Sequence, residues 1–599
     1  MCRIAGIISA KQNIQESTIL RMRDAMQHGG PDDAGIYIDA DHPLAFGHRR
    51  LSLIDLSALG HQPMQDASGQ LILIFNGEIY NFQVIRTELE QLGYSFRSHS
   101  DTEVILYAYQ QWGKDCLQRF NGMFAFALLD KRKNTVLLAR DHAGIKPLYY
   151  GVRNGQFCFA SEVRAFTAFD PSWPENNDWR KYFLLFGHLP EPITTLQDVQ
   201  PLAKGHWLEY NLHTHQYQTG KFFQLYYNYT IHDEETAVDK VRAVLRESVQ
   251  RHLISDAPIG LFLSGGLDSS LLTLLAKPVV GDNLHTLSIV FENDKFSEKL
   301  YQDIVIQATG AQHRSFLVTE KDFFDNMPDI IKAMDQPSND GINSYFICRY
   351  AKAYGLKAVL SGLGADELFG GYPTFNRTNV VASVRWLPDF MFAVTGIFPD
   401  DKRKRFSFLQ VEKGLGEYLF NRGFFLPAQV ASLLDCTVAE VESALEKILL
   451  PSFVEKLQPE EKVSFMEANL YMQNQLLKDT DYMSMWHSVE VRVPFLDKQL
   501  MELAYSINPD IRFNSNQGKH LLIKAFKDIL PEPIWNRPKQ GFVFPFEQWM
   551  QHINTTHIRS RSHKQLHRGL VNGKIHWSRY WCYLLAQKDT HLLGALGRS

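Results

Sequence analysis

Ile259-Gly260-Leu261-Phe262-Leu263-Ser264-Gly265-Gly266-Leu267-Asp268-Ser269-Ser270-Leu271-Leu272 is the stretch whose reading decides the fold. The apolar run 259–263 predicts a short buried strand, the small residues a loop, and the chain from near Ser269 a helix. A strand entering a helix through Ser264-Gly265-Gly266 gathers several backbone N–H groups at the positive end of the helix dipole. Such a point binds anions, and glycine lets a phosphate approach the backbone. Asp268 is foreign to a pure anion site. A carboxylate beside phosphates calls for a divalent cation between them. The plain competing reading of the same residues is a glycine turn with no ligand.

Working outward, the segments around this loop alternate. A helix over 235–252 precedes it and its own helix runs to about Ala276. Strand 284–291, helix 297–309, strand 313–318, helices 320–334 and 343–354, and strand 357–360 follow. Alternation of this kind predicts a doubly wound parallel sheet with ligands at the carboxyl ends of its strands. Beyond 375 the pattern is mainly helical. The first two hundred residues read differently. Apolar segments at 44–54, 71–76, 123–129, 135–139 and 157–160 are separated by Gly, Asn and Asp, with helices over 82–92 and 102–112. That mixture predicts stacked sheets with helices outside. The proline-rich stretch 169–201 reads as the connection between two domains, set at residues 2–210 and 211–599.

Composition narrows the function classes. A chain of 599 residues exceeds one core, and 45% hydrophobic with 21% charged residues is globular. Lys plus Arg is 62 against 66 for Asp plus Glu, a net charge of −4 that suits neither a nucleic-acid nor a membrane partner. Apolar runs such as 71–75 and 391–398 are too short to span a bilayer. Six scattered cysteines without CxxC spacing suggest neither a zinc site nor a disulfide framework, and a reducing cytoplasmic setting fits.

Cys2 carries separate chemistry. Removal of Met1 would leave it first in the chain, its thiol on the same carbon as a free α-amine whose ordinary pKa of about 7.7–8.0 suits a general base. A cysteine at position 2 means little alone. His48-Arg49-Arg50-Leu51-Ser52, Asn76-Gly77-Glu78-Ile79-Tyr80-Asn81, Ser100-Asp101-Thr102-Glu103 and Arg140-Asp141 resemble landmarks of class II glutamine amidotransferases, which are N-terminal-nucleophile hydrolases. Ser-Gly-Gly-x-Asp-Ser resembles the pyrophosphate loop of the ATP pyrophosphatase group and lacks the Lys-[Ser/Thr] ending of a Walker A loop. Together the chain resembles glutamine-hydrolysing asparagine synthetase along nearly its whole length.

The resemblance implies an N-terminal-nucleophile αββα sandwich followed by the ATP pyrophosphatase-type sheet with extra helices. It assigns Cys2 as the nucleophile that forms a thioester with glutamine, and the Asn76 side chain and Gly77 N–H as an oxyanion hole. Arg50 would pair with the glutamine carboxylate beside Leu51, and Glu78 and Asp101 would hold its ammonium. A hairpin turn at Asn76-Gly77 and a surface ion pair of Arg50 with Asp101 are the plain alternatives. Ser264, Gly265, Gly266, Asp268 and Ser269 would take the phosphates of ATP, Leu263 and Ile289 would lie against adenine, and Ser361 and Gly362 would face the nucleotide. Asp268 and Asp366 would hold Mg²⁺. Lys539, in Arg537-Pro538-Lys539-Gln540-Gly541-Phe542, would neutralise charge at the α-phosphate. Lys478-Asp479-Thr480-Asp481 and Glu490 to Asp497 match further landmarks. The resemblance also leaves room for a homodimer.

Two departures limit it. The family's His-Arg-Gly-Pro-Asp reads His28-Gly29-Gly30-Pro31-Asp32 here. Leu363 stands where asparagine synthetases commonly have a glutamate associated with forming the aspartyl-adenylate and handling ammonia. Either another carboxylate serves, or the acceptor is another acid such as a sugar uronate or a peptide or natural-product carboxylate. A nucleotide-binding sensor without catalysis is the reading from a different class.

Overall fold

The computed structural model describes residues 2–10, 14–292, 298–384, 387–388, 391–392, 395, 401–411, 414–513, 517–537, 544–553 and 561–587. Two antiparallel six-stranded sheets form the N-terminal half. The first holds β1 (Arg3–Ser9), β2 (Asp33–Ile38), β3 (Leu44–Arg50), β8 (Tyr149–Arg153), β9 (Gln156–Ala160) and β10 (Val199–Pro201), in the order β10-β8-β9-β1-β3-β2. The second holds β4 (Met64–Gln65), β5 (Leu71–Ile79), β6 (Gly122–Asp130), β7 (Thr135–Arg140), β11 (His206–Asn211) and β12 (Gln216–Lys221), in the order β12-β11-β7-β6-β5-β4.

Strand parity makes this a four-layer stack. Ile4 and Ile8 of β1 and Ile72 and Ile74 of β5 meet in one apolar cluster between the sheets. The intervening Ala5 and Ile7 face out to Ile19, Met22 and Phe166. Leu71, Leu73 and Phe75 face out to Ile85, Leu89 and Ile105. Successive side chains of a strand point to opposite faces, so each sheet is apolar on both faces and needs a helical cover. The same parity aims Cys2 and Asn76, both even-numbered, into the space between the sheets.

The second half is built on a parallel sheet of β13 (Ile259–Phe262), β14 (His285–Val290), β15 (Gln312–Leu317), β16 (Ala358–Leu360) and β17 (Glu490–Arg492), in the order β15-β14-β13-β16-β17. From β13 the chain winds outward to β14 and β15 and returns on the other side with β16. The switch point therefore lies between the carboxyl ends of β13 and β16, where a crevice opens. The elements expected between 235 and 360 are all present. The helix after the phosphate loop is longer than expected, Leu267–Val280, and runs through Pro278. Pro278 lies two residues from its end, where few backbone bonds remain to be lost.

Two expectations need correction. The segment 44–54 is strand only to Arg50. The stretch 169–201 is no exposed connection. It contains the helix Trp179–Phe186, whose Tyr182, Phe183 and Leu185 are fully buried against Tyr418, Leu419 and Trp581 of the C-terminal helices, and β10, which completes the first sheet. The prolines flank this apolar run and hid it. Among the described residues no helix is long and apolar enough to cross a membrane.

Candidate active sites

Cys2 heads β1 with 7% of its surface exposed. Its backbone N–H donates to Oδ1 of Asn76 at 3.2 Å, so the Cys2 nitrogen is held by a side chain from the facing sheet. The other end of that amide, Nδ2 of Asn76, is buried with no hydrogen-bond partner among the described residues. A buried donor left unpaired costs about 1–3 kcal/mol and calls for a reason. Gly77 follows with φ of +151°. A Cβ there would stand 2.1 Å from the carbonyl oxygen of Met123, so only glycine fits. Asn76 and Gly77 are paired with Ala125 and Phe124 inside β5 and β6, not set in a hairpin turn.

Burial pushes the Cys2 thiol above its ordinary value, and a backbone hydrogen bond from Leu51 works in the other direction. Arg50, at the end of β3, is buried, and its Nη1 and Nη2 donate to the carbonyls of Ser57 at 3.1 Å and Asp55 at 2.5 Å. It thus holds the 54–57 loop and makes no surface pair with Asp101. Asp101 begins the helix Asp101–Trp112 and accepts the Ile79 N–H at 2.9 Å. Burial lifts its carboxyl to about 6, against the Ile79 hydrogen bond and with help from Glu490. Glu78 is also raised, by burial and by Glu490, although Nη2 of Arg492 lies 3.4 Å away. Glu78 and Asp101 thus belong to one buried cluster of carboxyls with Glu490, and Arg492 faces it.

The second site is a cavity of about 330 Å³ at the switch point of the parallel sheet. Leu263, Ser264, Gly266, Asp268, Ser269, Ile289, Ser361, Gly362, Leu363 and Asp366 all line it. Gly265 has φ of +86° and sits against Glu298 and Tyr301. The Ser264 N–H donates to Oγ of Ser269 at 3.2 Å, closing the loop on the first turn of its helix. A Cβ on Gly362 would lie 2.8 Å from Cβ of Asp268, so the two glycine-rich motifs meet face to face.

Lys519 is the residue that sequence reasoning missed. Its Nζ lies 2.5 Å from Oδ2 of Asp268 and 2.7 Å from Oδ1 of Asp366. Burial opposes its charge, but the two carboxylates outweigh that and raise its pKa. One ammonium between them shows that the carboxylates converge on a single cation position, which fits the Mg²⁺ reading. The signal was a Gly518-Lys519 pair just ahead of the apolar helix His520–Phe526. Lys539 lies outside the described residues. Arg537 before it donates through Nη2 to the Gly265 carbonyl at 2.9 Å, pairs with Glu298 at 2.8 Å, and lies 3.6 Å over the ring of Tyr301. Arg537 itself is therefore anchored to the phosphate loop.

Leu363 lines the cavity and packs on the apolar cluster behind it. Four residues on, Glu367 lines the same cavity, fully buried, and accepts the Tyr372 hydroxyl at 2.8 Å. The cavity wall that carries Leu363 thus also carries the Glu367 carboxyl.

Comparison with known proteins gives two family matches: the asparagine synthase model over residues 240–576 and the glutamine amidotransferase domain over residues 1–223. Asparagine synthetase [glutamine-hydrolyzing] 1 of Bacillus subtilis (strain 168) is 31% identical across 94% of this chain and 89% of its own. Asparagine synthetase B [glutamine-hydrolyzing] of Escherichia coli (strain K12) is 29% identical across 90% of this chain and 82% of its own. A protein with another name, amidase chry2 of Gibberella zeae, is 26% identical across 90% of this chain and 86% of its own.

Proposed function

We propose that this chain, which belongs to the asparagine synthase family of carbon–nitrogen ligases, releases ammonia from glutamine at Cys2 and uses it to make asparagine from aspartate and ATP. The observation that carries the reading is the Asn76 amide, which holds the Cys2 nitrogen with its oxygen and keeps a buried N–H₂ with no hydrogen-bond partner among the described residues.

In the first step the α-amine of Cys2 takes the thiol proton, and sulfur attacks the glutamine amide carbon. Nδ2 of Asn76 and the Gly77 N–H receive the oxyanion, the protonated α-amine returns its proton to the departing nitrogen so that ammonia leaves, and water releases glutamate from the thioester. Arg50 binds the α-carboxylate of glutamine after turning from the 54–57 loop, Leu51 lies alongside, and Glu78 and Asp101 bind the α-ammonium. In the second site an oxygen of the aspartate side-chain carboxylate attacks the α-phosphorus of ATP and pyrophosphate leaves into the 264–269 loop. Ammonia then attacks the acyl carbon and AMP departs. Asp268 and Asp366 would hold Mg²⁺, which supplies positive charge to the phosphate oxygens when bound. Lys519 lies between the same carboxylates, and Lys539 is the cation assigned to the α-phosphate. Glu367 gives the cavity a carboxylate where Leu363 has none.

The test is a screen of acids with glutamine, ATP and Mg²⁺ that measures glutamate, AMP, pyrophosphate and the amide. Aspartate should give equal amounts of AMP, pyrophosphate and asparagine. Pyrophosphate release only with a different acid would overturn aspartate as the acceptor. Nucleotide binding with no release for any acid would favour a sensor.

A further inference from the structure

The turn 28–32 lacks the arginine that the resemblance leads one to expect, and the structure supplies a guanidinium to the same place from another strand. A Cβ on Gly29 would stand 2.7 Å from Cγ, 2.8 Å from Nε and 3.2 Å from Cδ of Arg3. The Arg3 side chain therefore runs through the space that a side chain at 29 would enter. It has 0% of its surface exposed. Nε of Arg3 donates to Oε1 of Glu162 at 2.6 Å, and Nη1 pairs with Oδ2 of Asp481 at 2.8 Å. Glu162 also takes Nε2 of His28, the neighbour of Gly29, at 2.9 Å. Lys146 lies 3.6 Å from the second oxygen of Asp481. These carboxylates are within reach of a guanidinium carried at either position.

We propose that Arg3 is a positioning residue that stands in for the missing arginine of the 28–32 motif, and that its ion pair with Asp481 couples the nucleotide site to glutamine hydrolysis at Cys2. Two adjacencies make the link short. Arg3 directly follows the nucleophile and is the first residue of β1, so its fully buried side chain is tethered to the backbone next to Cys2. Asp481 belongs to the helix Leu477–Trp486, whose Thr480 lines the nucleotide cavity and whose Asp479 accepts the Ser338 hydroxyl. That helix lies along the N-terminal half. Its Tyr482 hydroxyl bonds that of Tyr149, and Trp486 lies 4.7 Å from the ring of His28.

Apolar side chains of equal volume would stabilise such an interface as well or better. Buried charges add a fixed relative position of the two elements: Nε of Arg3 is hydrogen-bonded to Glu162, and Nη1 faces Asp481 as an ion pair that any displacement of either element would weaken. A displacement of about 1 Å at a nucleophile can cost on the order of 100-fold in rate. A small shift of the Leu477–Trp486 helix on nucleotide binding is therefore enough, passed through Asp481 and Arg3, to change the attack geometry at Cys2.

The inference rests on reading Cys2 as the glutaminase nucleophile. Its test measures glutamate release by the full chain with glutamine alone, with ATP and Mg²⁺ added, and with aspartate added further. In the wild type the additions should change kcat/KM by about 5-fold or more, the lower end of ordinary coupling. Arg3→Met combined with Asp481→Asn, which removes both charges of the pair, should bring that ratio to about 1. In an Arg3→Gly background, Gly29→Arg should restore it, a rescue that a purely structural Arg3 would not give. Thermal unfolding of each variant shows that it is folded. A folded double variant that keeps the wild-type ratio, a folded swap variant that does not restore it, or a wild type indifferent to nucleotide overturns the proposal. Absence of glutamate from the wild type under every condition removes the glutaminase reading itself, before any variant is made.

Discussion

Asp101 is the residue at which stability and binding pull in opposite directions. Its ordinary value is 3.8, and in the fold burial raises it to about 6. Between those values the folded carboxyl keeps a proton that the unfolded one has lost. Its contribution to stability therefore falls as pH rises through that window and is lowest above 6, by on the order of 3 kcal/mol. Glu78, raised by burial and by Glu490, acts in the same direction. Such strain is useful if the ionised carboxylate receives the α-ammonium of glutamine. Asp101→Asn should raise Tm at pH 8 and raise KM for glutamine by about 10- to 100-fold, the worth of a charged hydrogen bond of roughly 1.5–3 kcal/mol. In the wild type, KM for glutamine should fall between pH 5 and 7 about a midpoint near 6. An Asn variant with an unchanged KM would remove Asp101 from the ammonium socket.

Strand β5 shows how an element sets a site. Its alternation puts Ile72, Ile74 and Asn76 on the inner face, and Gly77 breaks the strand geometry with φ of +151° against the Met123 carbonyl. Gly77→Ala should therefore cost stability, roughly 1–3 kcal/mol, since the new Cβ must displace backbone of β6. It should cost more in function: glutaminase kcat down about 100-fold or more with ammonium-dependent amidation retained. Glutamine turnover within a few-fold of wild type would contradict the oxyanion role. Much of this was legible in the sequence. The 259–272 run and its alternating successors specified the parallel sheet, because strand and helix periods differ and glycine marks where they join. Asn76-Gly77 was legible as a pair only through the resemblance, since its local pattern reads equally as a hairpin turn. The Trp179–Phe186 helix was hidden because flanking prolines suggest a connection, while its burial depends on partners more than two hundred residues away. Lys519 and Arg3 escaped for a similar reason. A lone cation acquires meaning only when folding sets it between carboxylates from other segments.

At the scale of the whole molecule the two chemistries occupy halves with their own interiors. The sheets around Cys2 enclose one set of apolar clusters, and the parallel sheet and C-terminal helices enclose another. The halves meet through Leu51, Tyr80, Met123 and Ile145, which join the apolar cluster of the second half, and through charged pairs such as Arg3 with Asp481. Lesions confined to one chemistry should therefore leave the other standing. Cys2→Ala removes only a sulfur from a buried site, a loss that the surrounding sheets tolerate, and should abolish glutamine-dependent amidation while ammonium salts still support it at near wild-type kcat. Asp268→Asn should do the reverse. With one carboxylate gone from the cation position beside the phosphate loop, pyrophosphate release should fall by about 100-fold or more, while glutamate release continues. The pair of variants is informative together, because a global folding defect would lower both activities in both proteins. Loss of ammonium-dependent amidation from folded Cys2→Ala protein would mean that the thiol, or the position of β1 that it helps to set, acts in the second site as well, and the separation into two chemistries joined by ammonia would have to be abandoned.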